Sequence, residues 1–302
     1  MDSLNDRVAT ASHTRSATPN PTVSVILPVK DEELNLIRVL PTIPREYELV
    51  VVDGGSVDGT VDLVRQMRPD ATLLTQPRAG KGNALICGFE AARGDIIVMF
   101  DGDGSANARE IDLFVSTLMS GADFAKGTRC AAGGGSDDIT VLRGAGNRAL
   151  TVLANRILGT RYTDLCYGYN AFWRDVLPVL DLPTSGPAGT GMQWGDGFEI
   201  ETVINCRIAS SGLVVREVAS RECSRIHGVS NLDAWRDGKR VLKTLLTERR
   251  RQRSHGATVQ SLQNLDQVRR KALSTLRPHR GTPPTSGLGI VNARMLTQGE
   301  ST

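Results

Sequence analysis

The chain has 302 residues, 40% of them hydrophobic, enough to bury a real core in one large domain or two small ones. No apolar run approaches the ~20 residues a membrane-spanning helix needs. The five cysteines (Cys87, Cys130, Cys166, Cys206, Cys223) are scattered, odd in number and never in CxxC spacing, which excludes a disulfide framework and a cysteine zinc site and fits a reducing cytosol. The net charge of +3 hides an asymmetry, because residues 249–280 carry nine Lys/Arg against the single acid Asp266, whereas residues 1–248 carry 26 basic and 31 acidic side chains.

Residues 1–21 are rich in Ser, Thr, Asn and Pro, lack an apolar signal core and read as a disordered leader. Strand and helix patterns then alternate: a strand at 23–29, a helix at 32–40 stopping before Pro41, a strand at 49–52 ending on Asp53, a helix at 60–67, a strand at 71–75, a helix at 81–92, and the apolar run Ile96-Ile97-Val98-Met99-Phe100. That order predicts an α/β fold with a doubly wound, mostly parallel sheet, whose ligands bind outside the carboxyl ends of the strands. Three acidic or Gly-rich clusters fall at that edge: Lys30–Glu33, Asp53–Gly59 and Asp101–Ser105. Further on, the pattern predicts a helix at 109–120, a strand at 122–125, a flexible loop at Gly133–Ser136 and a helix at 143–158. A Gly/Pro-rich loop at 184–197, a helix at 198–210, a strand at 213–218 and a helix at 233–250 follow. Residues 22–250 are thus expected to form a single domain with flexible termini, and 251–302 a basic, largely disordered tail. The run Arg249-Arg250-Arg251-Gln252-Arg253 is either a solvated tail or a peripheral contact with an anionic membrane surface. Nucleic acid is not expected, since no stacking aromatics accompany the run.

Asp101-Gly102-Asp103 closes a buried strand with two carboxylates one residue apart, hard oxygen ligands that suit Mg²⁺ or Mn²⁺ and leave coordination positions open for phosphate oxygens. Gly102 lets a bulky anion approach the backbone. His227 is the only histidine inside the expected domain, so hydrolysis through a histidine base has little support, and neither a Walker loop nor a GxGxxG follows the first strand. Carboxylate-held metal, glycine loops and arginines are equipment for holding a diphosphate and stabilising its departure.

Ser24-Val25-Ile26-Leu27-Pro28-Val29-Lys30-Asp31-Glu32-Glu33, Val51-Val52-Asp53-Gly54-Gly55-Ser56-Val57-Asp58-Gly59-Thr60 and Gly94-Asp95…Asp101-Gly102-Asp103 stand in an order that resembles the family 2 nucleotide-sugar glycosyltransferases of GT-A fold. Gly127-Thr128-Arg129, Asp164…Gly168-Tyr169-Asn170-Ala171 and Arg225-Ile226-His227-Gly228-Val229-Ser230-Asn231-Leu232 are similar to the dolichol-phosphate mannose synthase branch. The resemblance implies that Pro28, Lys30, Glu32 and Asp53 contact the nucleoside, that Asp101 and Asp103 hold the metal with Ser105 as a third polar ligand, and that Arg129, Arg143 and Arg225 handle diphosphate or an acceptor phosphate. Guanidinium forks suit that work. Two positions depart from the pattern: Gly54 replaces the second Asp of Asp-Asp-x-Ser, which leaves uracil or guanine open, and Asn231 stands where many mannose synthases have Lys.

Lys81, in Gly80-Lys81-Gly82-Asn83, either reaches a phosphate or only starts a helix. A hydroxyl acceptor needs a base, for which Asp164, Asp196, Glu199 and Glu201 are candidates, whereas a phosphate acceptor needs none. Glu199 and Glu201 project about 200° apart on the predicted helix, so only one can face the site; Asp164 and Glu199 are expected to line it. The 184–197 loop reads as a lid or an ordinary connector, and Trp194 as a stacking or a packing residue. The expected activity is inverting, metal-dependent transfer of a hexose from a UDP- or GDP-sugar to a polyprenyl phosphate at the cytoplasmic face of a membrane, with a hydroxyl on a soluble small molecule or glycan as the alternative acceptor. A nucleotidyltransferase would start with a Gly-rich basic loop after strand one, which Pro28-Val29-Lys30-Asp31-Glu32 is not. A non-catalytic sugar-binding module would not need the Asp101/Asp103 pair.

Overall fold

The computed structural model describes residues 20–186, 191–228 and 238–252. Most of the expected leader and tail, the Val229–Leu232 part of the Arg225 motif with Asn231, and the start of the last expected helix lie outside these residues. The chain alternates β1 (Val23–Val29), α1 (Glu33–Val39), β2 (Glu48–Asp53), α2 (Thr60–Met67), β3 (Thr72–Thr75), α3 (Lys81–Ala91), β4 (Ile96–Met99), α4 (Ile111–Met119) and β5 (Phe124–Thr128). The second half holds β6 (Gly135–Ser136), α5 (Val141–Leu158), β7 (Asn170–Trp173), α6 (Leu177–Leu180), α7 (Ile200–Ser210), β8 (Val215–Ala219), β9 (Arg221–Glu222) and a helical stretch at 238–252, here α8.

Seven strands form one sheet in the order β3-β2-β1-β4-β7-β5-β8, parallel except for β7, which runs antiparallel to both β4 and β5. The expected doubly wound, mostly parallel sheet is therefore present. Its β-branched runs are continuous because the central strands are covered on both faces. Val25, Leu27 and Val29 of β1 pack with Leu36, Val64, Ile111 and Phe114 on one side. Ile26 points the other way, into Leu85, Phe89, Ile200 and Ile204. A smaller cluster joins α5, α7 and α8 through Ala154, Cys206, Val241 and Leu245.

Several elements differ from expectation, among them the short α6 and β9, which no sequence pattern announced. The strand placed at 122–125 lies at Phe124–Thr128, so it carries Gly127 and Thr128 to the sheet edge. The loop at Gly133–Ser136 contributes β6, which pairs in parallel with β9. β7 was not expected at all, because Asn170-Ala171-Phe172-Trp173 has none of the β-branched residues that mark the equally short β3 and β4. Its reversal matters most: β4 and β5 run parallel and end at the same edge, and β7 begins there. The segment Asp164–Tyr169 is thereby delivered beside Asp101 and Arg129.

Phe172 holds β7 in place, edge-on to Phe89 at 5.5 Å and stacked with Phe124 at 5.8 Å between ring centroids. Phe172→Ala should lower stability by about 3–5 kcal/mol in a denaturant melt, since both ring contacts and the filled volume are lost.

Candidate active site

The loops after β1 and β2 are hydrogen-bonded into one unit. Buried Asp53 turns its carboxylate back to accept the N–H groups of Gly55 and Ser56, both at 3.1 Å. Asp31, at φ 55°, accepts Val57 N–H at 2.8 Å, and its own N–H donates to Ser56 Oγ at 2.9 Å. Gly54 N–H donates to Val29 O at 2.8 Å. A Cβ at Gly54 would lie 3.2 Å from Lys30 Cβ, so the missing second Asp goes with close packing of Lys30 across this turn. Half-buried Pro28 and exposed Lys30 flank the end of β1 opposite Asp53.

Asp101 and Asp103 follow β4 at the same edge. Lys81 Nζ lies 2.7 Å from Asp101 Oδ1 and 2.9 Å from Glu201 Oε1. Burial alone would discharge Lys81, but the two carboxylates outweigh it and hold the ammonium charged, well above the ordinary lysine range. Asp103 accepts the Ser105 N–H at 3.0 Å and hydroxyl at 2.6 Å. Arg225 spans two motifs, with Nη2 2.9 Å from Asp103 Oδ2 and Nη1 3.0 Å from Glu32 Oε1. Burial raises the Glu32 pKa above the carboxylate norm despite the opposing Asn35 and Arg225 contacts. Asn35 also clasps the main chain of His227, accepting its N–H at 2.8 Å, so the Arg225–Gly228 strap is pinned across the carboxylate turn. Gly102 packs beneath that turn against Val29.

Arg129 and Asp164 form a second, deeper unit. Nε and Nη2 of Arg129 meet the two oxygens of Asp164 at 2.7 and 3.0 Å, and Nη1 reaches Glu222 at 3.0 Å. Its guanidinium sits 4.8 Å from the Tyr167 ring centre. Asp164 is fully buried and also accepts Asn147 Nδ2 at 2.9 Å. Burial would raise the Asp164 pKa, but Arg129 carries it below the usual carboxylate range. Arg143, in the first turn of α5, lies 3.4 Å from Asp138. Glu199 is turned into the loop before α7, where Oε1 accepts Gly195 N–H at 3.1 Å and Oε2 lies 3.5 Å from Arg240. It is Glu201, not Glu199, that contacts the Lys81–Asp101 pair.

Lys81 owes its place to a contact that sequence patterns do not show. Arg78 and Asp196 pair bidentately at 2.7 and 2.9 Å, both buried, and Arg78 also donates to the carbonyls of Thr184, Ser185 and Gly186. Asp196 O accepts the N–H groups of Gly82 and Asn83 at 2.7 and 3.2 Å, satisfying the first turn of α3. A Cβ at Gly82 would stand 1.8 Å from Gly195 O, so only glycine permits this approach. Arg78, Asn147 and Glu222 were not among the expected site residues. Each is a lone polar residue in a loop, a helix or a two-residue strand, and nothing in its local pattern marks its partner.

The donor set at Asp101, Asp103 and Ser105 is made of oxygen alone and presently balanced by two cationic side chains, which fits a hard divalent cation. Among the described residues no three or more His, Cys, Asp or Glu side chains converge as a metal cage, so a cation here would depend on this set and on substrate oxygens.

A sheet of this topology with a carboxylate turn after β4 defines a GT-A glycosyltransferase. The model of glycosyl transferase family 2 matches residues 24–180, and the chain belongs to that family. It is 29% identical over 229 residues to polyprenol monophosphomannose synthase of Mycolicibacterium smegmatis, covering 72% of this chain and 83% of the relative. A shorter match, 38% over 107 residues, joins it to an uncharacterized glycosyltransferase of Mycobacterium tuberculosis, of which it spans 48%. The fold is shared with glucosyl-3-phosphoglycerate synthase of Mycobacterium tuberculosis, solved with Mn²⁺, UDP-glucose and phosphoglyceric acid (TM-score 0.59, 23% identity, 77% of this chain and 81% of that one).

Asp196→Asn should cost about 3–5 kcal/mol, because the Arg78 charge stays buried without its partner. Burial would raise the Asp196 pKa, yet the bonds from Arg78 and Gln193 hold it below the usual carboxylate range. Its contribution is therefore complete above the unfolded value of about 3.9 and is lost as pH falls through the lower native value. Denaturant melts from pH 6 downward should show a shallower acid loss in Asp196→Asn than in the wild type.

Proposed function

We propose that the protein transfers a hexose, with inversion, from a UDP- or GDP-sugar to a polyprenyl phosphate at the cytoplasmic face of a membrane, using Mg²⁺ or Mn²⁺. The observation that carries the acceptor class is the state of the carboxylates. Asp164 is gripped by Arg129 and Asn147, Asp196 by Arg78, Glu199 by loop amides and Glu201 by Lys81. A hydroxyl nucleophile needs a free base; a phosphate monoester oxygen is already an anion. The mannose synthase relative, named for a polyprenol product, supports the same choice.

In this reading the paired loops carrying Pro28, Lys30, Glu32 and Asp53 take the nucleoside. Asp101 and Asp103, with Ser105, would hold the cation, whose charge offsets that of the leaving diphosphate. Lys81 stays charged beside Asp101 and is placed to meet diphosphate oxygens. Arg225 can exchange Glu32 or Asp103 for phosphate, a substitution that keeps its guanidinium paired throughout. Arg143 lies at the start of α5 with one exposed carboxylate partner and is available to the acceptor phosphate. Arg129 acts through Asp164, holding the segment before β7 against the site. An acceptor phosphate oxygen bonds to the anomeric carbon opposite the diphosphate, the carbon–oxygen bond to the diphosphate breaks, and the electron pair leaves with the nucleoside diphosphate.

A second reading keeps the donor and uses a hydroxyl of a small phosphorylated acceptor, with Glu201 as base once Lys81 turns to phosphate. What favours it is that Glu201 lies within the donor-side cluster, 2.9 Å from Lys81.

Two measurements test these readings. A panel of UDP- and GDP-sugars with Mn²⁺ should give turnover of one donor only when polyprenyl phosphate is present and yield a sugar-phosphate lipid; donor turnover indifferent to the lipid would transfer the assignment to a hydroxyl acceptor. Asp103→Ala should cut metal-dependent turnover by at least about 10²-fold, through loss of cation binding, with the melting temperature unchanged. Wild-type-like turnover would remove Asp103 from the cation site.

A further inference from the structure

α8 buries Val241, Thr244, Leu245 and Glu248, and Val241 and Leu245 pack with α5 and α7. Its opposite stripe, one residue every turn, is Lys239, Leu242, Lys243, Leu246 and Arg250. Leu242 is 38% and Leu246 46% exposed. The only acid on this helix, Glu248, is 3% exposed and spent on Arg207 at 3.1 Å. The outer stripe is thus aliphatic and basic with no negative charge. Neighbouring α5 is free of acidic residues along its whole length and carries Arg143, Arg148 and Arg156.

The stripe continues into the loop before α7. Lys243 Nζ lies 5.9 Å from the Trp194 ring centre, Trp194 Nε1 donates to Glu248 at 3.5 Å, and Arg240 lies 3.5 Å from Glu199. That loop exposes Met192 (55%) and Phe198 (38%). Its Asp196 carbonyl caps α3 at Lys81, so the apolar and basic face reaches the rim of the donor site.

We propose that this face docks on an anionic lipid bilayer, with Leu242, Leu246, Met192 and Phe198 entering the headgroup boundary while Lys239 and Lys243 meet lipid phosphates. Aliphatic anchors interleaved with cations are the composition that binds such a surface, by apolar burial and electrostatic attraction together. Charge argues against the other occupants. A second copy would set one basic stripe against another, and residues 253–280 of this chain carry six basic side chains against Asp266. The exposed aliphatic side chains of Leu242, Leu246 and Met192 argue against a nucleic acid, whose surface of phosphates is met by polar and basic groups. The inference deepens the lipid-phosphate reading by placing the site's rim at the bilayer, but its test reads vesicle binding and not turnover, so the two fail separately.

The test is co-sedimentation of the full chain with phosphatidylcholine vesicles, with and without phosphatidylglycerol. The wild type should bind only the anionic vesicles, and the binding should weaken with added salt. Lys239→Gln/Lys243→Gln should weaken it by about 30-fold, from two surface charges. Leu242→Ser/Leu246→Ser should weaken it at constant charge, and both variants should melt like the wild type. The proposal is overturned if the wild type shows no preference for anionic vesicles or if either variant binds them as the wild type does. It is also overturned if Leu242→Ser/Leu246→Ser dissociates a dimer in sedimentation equilibrium while leaving vesicle binding intact.

Discussion

One buried ion pair organises the donor side of this protein. Arg78 and Asp196, 118 positions apart in the chain, meet far from water, and their contact ties the loop entering α7 to the start of α3. A buried pair of this kind gains little net stability over an apolar one but is costly to break, so it acts as a constraint on geometry. Once it forms, Asp196 O caps α3, Gly82 is pressed against Gly195, and Lys81 can point only toward the sheet edge. Glu201, in the first turn of α7 just beyond the same loop, then meets Lys81 and completes the Lys81–Asp101–Glu201 bridge.

The candidate site as a whole is a set of carboxylates balanced by cations. Lys81 and Arg225 sit against the carboxylate turn and are partly exposed, at 18% and 22%. Arg129, 8% exposed and shared between Asp164 and Glu222, is locked into the structure. That difference sorts the basic residues by physics. A cation on a flexible stem at a solvent edge can trade a carboxylate for a phosphate at little cost, whereas one saturated by the buried Asp164 and the half-buried Glu222 cannot. The proposed roles follow the division: Lys81 and Arg225 meet substrate, and Arg129 positions the segment before β7.

The proposed docking face gives the same division a spatial sense. The carboxylate turn and Lys81 lie at one edge of the sheet, and the loop that fixes Lys81 is the one that lies beside α8. A lipid acceptor entering there would reach the carboxylate turn without crossing the body of the domain. No helix among the described residues is long and apolar enough to cross a membrane.

The family and much of the edge were legible in the sequence because they are local. β-branched runs buried on both faces reveal parallel strands, and the carboxylate pair after Phe100 marks where β4 ends; both depend on residues a few positions apart. β7 escaped notice because its four residues lack the β-branched run that marks β4, and its reversal is decided by which neighbours remain unpaired. The partner of each charge was equally hidden. Periodicity tells which face a residue lies on, but not which residue comes to meet it. Glu201 rather than Glu199 reached Lys81 because the turn into α7 spends the Glu199 carboxylate on Gly195 and Gly197. The sequence by itself determined the strand and helix alternation from β1 to β4, the edge where those strands end and the oxygen-donor turn. Only the tertiary structure decided the pairing of Arg78 with Asp196, Arg129 with Asp164 and Glu222, and Arg225 with Glu32 and Asp103, because those contacts exist only once distant segments share one buried, low-dielectric space.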